Sequence, residues 1–377
     1  MTQVEGFKNG QSDFLINFLN QVRIMLFELL DELVNYPAEA ENKVVACISN
    51  LLLGYYEGNH LLMSSEFFCN AFRNKIVDDR AKSALHYLEK HLSYSYDVDW
   101  HAKVKLKDAN PQKHEINLGF FEKTSAIQPT RVIGEHLNDA YFYYYIMCSL
   151  IKKNDITENT AYIPDLGGGS SSIDKIDLLF QKNDSINLGI FDSDKKYTND
   201  TNKNRMSEKI SKKYRNKKVN IGIETINVME VENLIPLPFI IKLHRDKEAI
   251  LNRIKKECPE LLKYYDFKNG IYYTSKTDDP QYNAKIKYWY NVIYKDKENF
   301  DEFIKKCLVK QAEEPICVFP NIGKQILKSF VEQANVKRPE KIKYGLLVND
   351  DRLVAEWNRL AKIVYTYTCS RKKDPIS

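Results

Sequence analysis

A chain of 377 residues is long for one compact core, and we expect two or three domains. Its 43% hydrophobic and 28% charged residues are globular proportions, and no stretch approaches the roughly 20 apolar residues of a membrane span. The first residues lack the basic cluster and apolar run of a secretory signal, so we expect a cytoplasmic protein without membrane contact. The net charge of +5 permits an anionic partner without requiring one.

The metal-binding and redox patterns are also informative. The seven cysteines include no C-x-x-C pair, and the seven histidines are dispersed along the chain. The sequence therefore predicts neither a zinc site nor a disulfide framework.

The N-terminal quarter of the chain is predicted to be helical. Apolar residues recur at helical spacing from Phe14 to Val34, and similar patterns continue to about Leu92, which predicts a helical domain over residues 1–95. It contains no catalytic cluster, so we interpret it as a scaffold. Residues 96–129 change to short alternating pieces, VKLK and EINLGFF, which predict a connector with strands.

Residues 130–245 alternate strands with helices. The strand TRVIGEH precedes a buried helix, TAYIPDL leads into a glycine-rich turn and the helix SIDKIDLLFQK, and NLGIFDSD is a third strand before VNIGIETINV. This order predicts an α/β core with a mostly parallel sheet covered on both faces. Helical spacing returns over residues 246–377, so the core is expected to have N-terminal and C-terminal helical regions on its flanks.

Acidic residues follow the predicted strands. Glu135 closes the first strand, Asp139 begins the next helix, and Asp192 and Asp194 close the third strand. Ligands of open parallel sheets bind beyond the carboxyl ends of the strands, so these acids are expected to meet there. Four carboxylates repel one another unless cations neutralise them, and oxygen ligands favour Mg²⁺ or Mn²⁺. The pattern predicts a site for such ions.

Two of these signals are weak when taken alone. A D-x-D triplet arises about once by chance in a chain of this length, and YDVDW supplies a second one without strand-to-helix context. The turn formed by Gly167, Gly168, Gly169 and Ser170 is either a nest of amides for a phosphate or an ordinary strand-to-helix turn. Their order along about sixty residues is what makes coincidence the poorer explanation.

The order GEHLNDAYFYYY, DLGGGSSSIDKI, GIFDSDKKY and MEVENLIP resembles the Toprim domain of overcoming-lysogenization-defect nucleases and related phage-defence proteins. The resemblance covers about residues 130 to 240. It implies a Toprim core, metal-binding roles for Glu135, Asp139, Asp192 and Asp194, and cleavage of DNA or RNA in anti-phage defence. Similarity over ENLIP adds Glu232 as a secondary ligand, the alternative being a strand-end acid without that role.

The sequence departs from the family pattern in two ways. Such nucleases are commonly fused to or encoded beside an ATPase, but this chain has no G-x-x-x-x-G-K-[ST] loop, and Gly323 and Lys324 lack the flanking residues. Any control by ATP is therefore expected from a separate ATPase or sensor protein. His136 stands where the family often has glycine, which makes the turn after the first strand less standard.

Basic residues are candidates for contacting the phosphate backbone. In a two-metal displacement a lysine stabilises the transition state, and Lys195 and Lys268 are the candidates, with a surface role as the alternative for each. The segment from residue 202 to residue 218 holds eight Lys or Arg against one Glu. Its apolar face is expected to pack while its basic residues grip nucleic acid, or else form a solvated surface. The candidates for that contact are Lys209, Lys212, Lys213 and Arg215.

Two other functions remain open on the sequence alone. One keeps the Toprim core for a primase or topoisomerase, although neither a zinc module nor a tyrosine nucleophile domain is evident. The other is a noncatalytic subunit that binds nucleic acid or a partner ATPase. The choice between DNA and RNA (tRNA included), the trigger and the oligomeric state, a homo-oligomer among the options, are left open.

Overall fold

The computed structural model describes residues 26–91, 102–153, 159–198, 200–257, 259–273, 284–285, 287–289, 316–338, 341–347 and 350–371. The chain forms two compact units. Unit 1 comprises Met1–Ile190, Ile210–Glu224 and Asn358–Ser377, and unit 2 comprises Phe191–Lys209 and Thr225–Trp357. The predicted division into residues 1–95, 96–129, 130–245 and 246–377 follows other boundaries and stays a prediction.

The strands are β1 Leu26–Leu29, β2 Leu61–Ser64, β3 Ala102–Lys105, β4 Glu115–Asn117, β5 Thr130–Gly134, β6 Asn159–Thr160, β7 Tyr162–Leu166, β8 Asn187–Phe191, β9 Ile221–Thr225, β10 Ile271–Tyr273, β11 Ile316–Phe319 and β12 Cys369–Ser370. The α-helices are α1 Glu41–Tyr56, α2 Glu66–Phe72, α3 Asp79–Lys90, α4 Leu137–Lys153, α5 Ser172–Lys182, α6 Met206–Tyr214, α7 Leu237–Leu243, α8 Glu248–Glu257, α9 Ile326–Gln333 and α10 Asp351–Thr368.

Unit 1 contains a parallel sheet that the sequence did not predict. Its strand order is β2-β1-β3-β4, and Phe27 in β1 pairs with Leu62 on one side and Ala102 on the other. The prediction of a helix from Phe14 to Val34 is therefore wrong over β1, and its part up to residue 25 lies outside the described residues. A central strand is buried on both faces, so its short apolar run shows no alternation that separates it from a helix.

The strands predicted for the connector are confirmed. VKLK and EINLGFF contribute to β3 and β4, and these pair in parallel through Val104 and Ile116. They belong to the same sheet as β1. The segment predicted to be a connector is therefore part of the N-terminal sheet.

The predicted parallel α/β core is confirmed in its coarse form. The second sheet has the order β7-β5-β8-β9, and β5 pairs in parallel with both β7 and β8. All five residues of β8 are buried, as expected of a strand covered on both faces. In α4 the tyrosine-rich run packs as core, with Tyr143 and Tyr145 fully buried.

The region predicted to be C-terminal and helical contains strands as well. Helices α8, α9 and α10 follow the predicted periodicity. In unit 2, β10 and β11 pair antiparallel, and in unit 1, β12 pairs antiparallel with β6. These strands are two to four residues long, too short for periodicity to indicate them. Among the helices described here, none has both the length and the apolar character needed to cross a bilayer.

A buried histidine lies in the core of unit 1. His60 is 3% exposed, and its ring meets the edge of Phe27 at a centroid distance of 5.6 Å. Its Nε2 atom is buried and accepts no hydrogen bond from the described residues. Burial lowers the pKa of His60 to about 4, although the backbone of Gln128 and Ile127 acts in the opposite direction. The folded protein therefore holds this imidazole neutral.

We expect His60 to make folding sensitive to mild acid. The unfolded chain takes up a proton as pH falls through about 6.5, whereas the folded state does so only near pH 4. The free energy of unfolding should therefore drop by about 2 kcal/mol more between pH 7 and pH 5 in the wild type than in His60→Leu. Urea titration at the two pH values measures this difference. The control is His86→Leu, which replaces an exposed histidine and should keep the wild-type pH dependence. If the free energy of unfolding falls equally in wild type and His60→Leu between pH 7 and pH 5, the low pKa of His60 is refuted.

Candidate functional site

The D-x-D motif lies where the chain leaves β8. Asp192 is 8% exposed, and its Oδ1 accepts a hydrogen bond from the Val231 amide at 3.1 Å. Asp194 has a left-handed backbone, with φ of 52°, and its amide donates to the Met229 carbonyl at 3.0 Å. Aspartate tolerates this conformation better than most residues. Both aspartates are thereby tied to the segment that follows β9.

That segment presents two further carboxylates. A short 3₁₀ helix, Val231–Leu234, follows Glu230 and contains Glu232. Asn233, which is fully buried, fixes the turn, because its Oδ1 accepts from the Glu230 amide and its Nδ2 donates to the Leu262 carbonyl. The burial of Glu232 at 4% exposure follows from this local fold.

Lys268 connects the two glutamates. Its Nζ lies 3.1 Å from Oε1 of Glu232 and 3.3 Å from Oε2 of Glu230. The turn that carries it is closed by Asp266, whose Oδ1 accepts the Asn269 amide at 2.7 Å. The structure thus brings the predicted lysine to the predicted secondary acid, thirty-six positions earlier in the chain.

The pKa shifts show how closely these groups interact. Burial alone would lower the pKa of Lys268, but Glu232, Glu230 and more weakly Asp192 raise it above its usual value. Burial raises the pKa of Glu230 to about 7 against the opposing effect of Lys268. Burial also raises the pKa of Asp194, and Arg205, Lys196 and Lys268 oppose this. Asp192, Asp194, Glu230, Glu232 and Lys268 form what we call the acidic cluster of unit 2.

Sequence reasoning missed three charged residues in or beside this cluster. Glu230 stands two positions before Glu232, and that E-x-E spacing was the signal that could have revealed it. Lys196 and Arg205 act on the pKa of Asp194 from the segment just after the motif. The predicted Lys195 is half-buried, and its amide donates to Ser193 Oγ at 3.2 Å.

The other two predicted ligands lie in unit 1. Glu135 follows β5 and is half-buried. Asp139 is 2% exposed at the third position of α4, and its Oδ2 accepts the His136 amide at 2.7 Å. An acid at that position that reaches back to an amide before the helix stabilises the helix start, so Asp139 has a structural role of its own. The metal-binding roles of Glu135 and Asp139 stay predictions.

The glycine-rich turn is engaged with the end of β5. The Gly167 amide donates to the Gly134 carbonyl at 2.6 Å, and the amides of Gly168 and Gly169 both donate to the Glu135 carbonyl at 3.2 Å. A Cβ on Gly167 would lie 2.6 Å from Ser172 Oγ. These amides already have acceptors in the chain, which favours the structural interpretation of Gly167 to Ser170 over a phosphate nest.

The basic helix packs as predicted. Ile210 and Tyr214 of α6 are buried, and Met206 is half-buried. Lys213 forms an ion pair with Asp177 at 2.7 Å, and Arg215 pairs with Glu224 at 3.3 Å. Lys209 and Lys212 are exposed. Two of the four predicted contacts to nucleic acid are therefore engaged in surface ion pairs.

The acidic cluster offers the oxygen ligands that divalent cations prefer, but its side chains are not grouped as closely as in a metal-bound site. Oε2 of Glu232 is buried and accepts no hydrogen bond from the described residues. A buried carboxylate oxygen without a partner is costly, and a divalent cation with oxygen ligands would satisfy it. Within the described ranges no three His, Cys, Asp or Glu side chains are grouped as a metal would require. The residues fit such an ion in their donor type and their burial.

Comparison of the chain with protein-family models, with curated proteins and with solved structures yields no match. The resemblance to Toprim nucleases therefore stays a prediction from the motifs.

We expect Lys268→Met to destabilise unit 2. The substitution keeps most of the side-chain volume but leaves Glu230 and Glu232 buried without their cation. Because the side chain of Lys268 is 31% exposed, the loss should be about 2 kcal/mol, below the roughly 3–5 kcal/mol of a fully buried pair. Urea unfolding in the presence of chelator measures it. Lys263→Met removes a pair whose acid, Glu260, is 62% exposed instead of buried, so it should cost about 0.5 kcal/mol. Equal losses in the two variants would contradict this account.

Proposed function

We propose that this chain is a metal-dependent nuclease that cleaves phosphodiester bonds in DNA or RNA. The observation that carries the proposal is the contact of Lys268 with Glu230 and Glu232 beside Asp192, a buried concentration of acids around one lysine. One lysine cannot neutralise several buried acids, and metal ions held by these acids in a nuclease site would supply the remaining positive charge. An effector role in anti-phage defence rests on the family resemblance alone.

In unit 2 the acidic residues would bind metal ions. Asp192, Asp194 and Glu232 would hold Mg²⁺ or Mn²⁺. The metal-binding roles of Glu135 and Asp139 stay separate predictions from the sequence. Two bound ions supply an activated water and stabilisation of the leaving oxygen.

Lys268 would have a separate task. Its raised pKa keeps the ammonium charged at neutral pH, so that it contributes positive charge when the substrate phosphate gains negative charge. Its contacts with Glu230 and Glu232 fix the position of that charge in the protein without substrate. A preoriented cation loses little conformational freedom as the transition state forms.

Substrate contacts are expected to be mainly with the nucleic-acid backbone. The exposed Lys209 and Lys212 offer charge to phosphates without reading bases. Because the sequence has no phosphate loop of its own, a separate ATPase or sensor protein is the proposed source of any control by ATP.

The test is cleavage by the purified full chain. Plasmid DNA, single-stranded DNA and tRNA are incubated with Mg²⁺, Mn²⁺ or chelator. We expect metal-dependent cleavage of at least one substrate, reduced about 100-fold or more in Asp192→Asn, because removing one charged ligand weakens both metal binding and charge stabilisation. Glu135→Gln tests the sequence-based prediction for that residue separately, and a similar loss is expected of it.

The matched control is Glu260→Gln, a carboxylate of unit 2 that forms a surface pair with Lys263. It should cleave at the wild-type rate. A separate sensor would leave the purified chain inactive, so the toxicity of wild type and of Asp192→Asn on expression in cells is compared as well. Nucleic-acid binding that is kept by every variant, with no cleavage in either assay, would instead identify a noncatalytic subunit.

Manganese binding gives a readout independent of turnover. In a thermal-unfolding experiment, Mn²⁺ should raise the midpoint of the wild type and of Glu260→Gln but not that of Asp192→Asn. Equal shifts in all three proteins would overturn the assignment of Asp192 as a ligand.

A further inference from the structure

A cavity of about 290 Å³ opens beside the D-x-D motif in unit 2. One wall is Asp194, the end of the predicted metal-binding motif. The other lining residues come from the next eleven positions of the chain and include two cations: they are Lys196, Tyr197, Asp200, Asn202 and Arg205. The segment that follows the motif therefore folds back to form a partly open cavity next to it.

Asp200 holds this segment in its curved shape. Its Oδ2 accepts the Lys196 amide at 3.0 Å, and its Oδ1 accepts the Asn202 amide at 3.0 Å. Burial acts to raise the pKa of Asp200, but these two amides and Arg205 hold it below its usual value. The negative charge of Asp200 is thus largely compensated within the loop.

Arg205 is the unusual member of the lining. Its side chain is only 6% exposed, with Nη1 2.8 Å from Asp200 Oδ1 and Nη2 3.5 Å from Glu208 Oε1. Its Nε is buried and donates no hydrogen bond to any described residue. A buried guanidinium N–H without an acceptor is costly, so Arg205 keeps a hydrogen-bonding capacity that Asp200 and Glu208 do not use and that an anion's oxygen atoms would satisfy.

Lys196 and Tyr197 complete the recognition chemistry. Lys196 is close enough to Asp194 and Lys285 to affect the pKa of each. The ring of Tyr197 stacks on Tyr288 at 5.3 Å, which fixes it in the wall. A cavity of this volume, at the small end of ligand sites, suits a phosphate with an attached sugar and excludes a folded polynucleotide.

We propose that this cavity binds a phosphate group, held by Arg205 and Lys196, directly beside Asp194. Phosphate matches the arginine fork and the ammonium in geometry and charge. Its use as a pocket for a phosphate of the substrate rests on the proposed nuclease function, whereas phosphate binding itself does not. The phosphate belongs either to the end of a nucleic-acid strand or to a free nucleotide.

The first experiment measures binding of inorganic phosphate to the full chain in chelator, by isothermal titration or by ³¹P line broadening. Wild type should bind saturably. Lys196→Gln should bind about tenfold more weakly, since it loses one charge-assisted contact. Lys203→Gln, which removes the same charge from an exposed position of the same segment, should bind as wild type does. No saturable binding by wild type, or equal affinity in Lys196→Gln, overturns the proposal.

Arg205→Gln is the sharper variant, but it also removes the ion pair with Asp200 and is interpreted only if its thermal unfolding is cooperative. Asp192→Asn separates the two proposals. It should lose cleavage and keep phosphate binding, because Asp192 does not line the cavity. If phosphate binds as described but none of these proteins cleaves nucleic acid, the nuclease proposal fails and the phosphate site is supported. If cleavage is metal-dependent but phosphate does not bind, the phosphate site fails and the nuclease proposal is supported.

The second experiment distinguishes the sources of the phosphate. Oligonucleotides with a terminal phosphate, the same strands with terminal hydroxyls, and adenosine monophosphate compete with inorganic phosphate. Competition by phosphorylated strands about tenfold stronger than by hydroxyl strands supports a strand-end pocket. Competition by the mononucleotide alone assigns the cavity to a free nucleotide and overturns its role in holding substrate.

Discussion

The placement of carboxylates away from water is the constraint on which unit 2 depends. Glu232 and Asp192 are buried, and a buried acid is stable only with a cation or donated hydrogen bonds. The Val231 amide supplies one such bond to Asp192, and Lys268 supplies the charge. Asn233 then keeps the intervening turn fixed through contacts to three backbone groups. The interactions that fix the local fold are therefore the same ones that compensate the buried charges of the site.

The acids of this cluster lie close in the sequence to the ends of two strands. Unit 2 begins at Phe191, the last residue of β8, and resumes at Thr225, the last residue of β9. The D-x-D motif and Glu230 each follow one of these transitions within five residues. The position of these acids in the sequence, just after two strands that neighbour each other in the sheet, is what made the D-x-D motif recognisable as a candidate.

The sequence was most informative where local order determines structure. The elements β5, α4, β7, α5 and β8 were predictable because each strand is followed by a turn and an amphipathic or buried helix. The strand β1 was not, since burial on both faces removes its alternation. The contact of Lys268 with Glu232 was also beyond local patterns, because it forms only when two separate turns pack. The spacing of the glycines likewise could not show that the amides of the turn donate hydrogen bonds to carbonyl groups at the end of β5.

The hydrogen bonds between the glycine-rich turn and the end of β5 restrict how this loop can evolve. Two successive amides converge on a single carbonyl, that of Glu135, while the preceding amide reaches Gly134. Inserting or deleting one residue between Leu166 and Ser172 would shift all three donors out of register with their acceptors, even with both strands intact. Homologous chains that keep these three hydrogen bonds should therefore vary in the residues of the turn but keep its length constant.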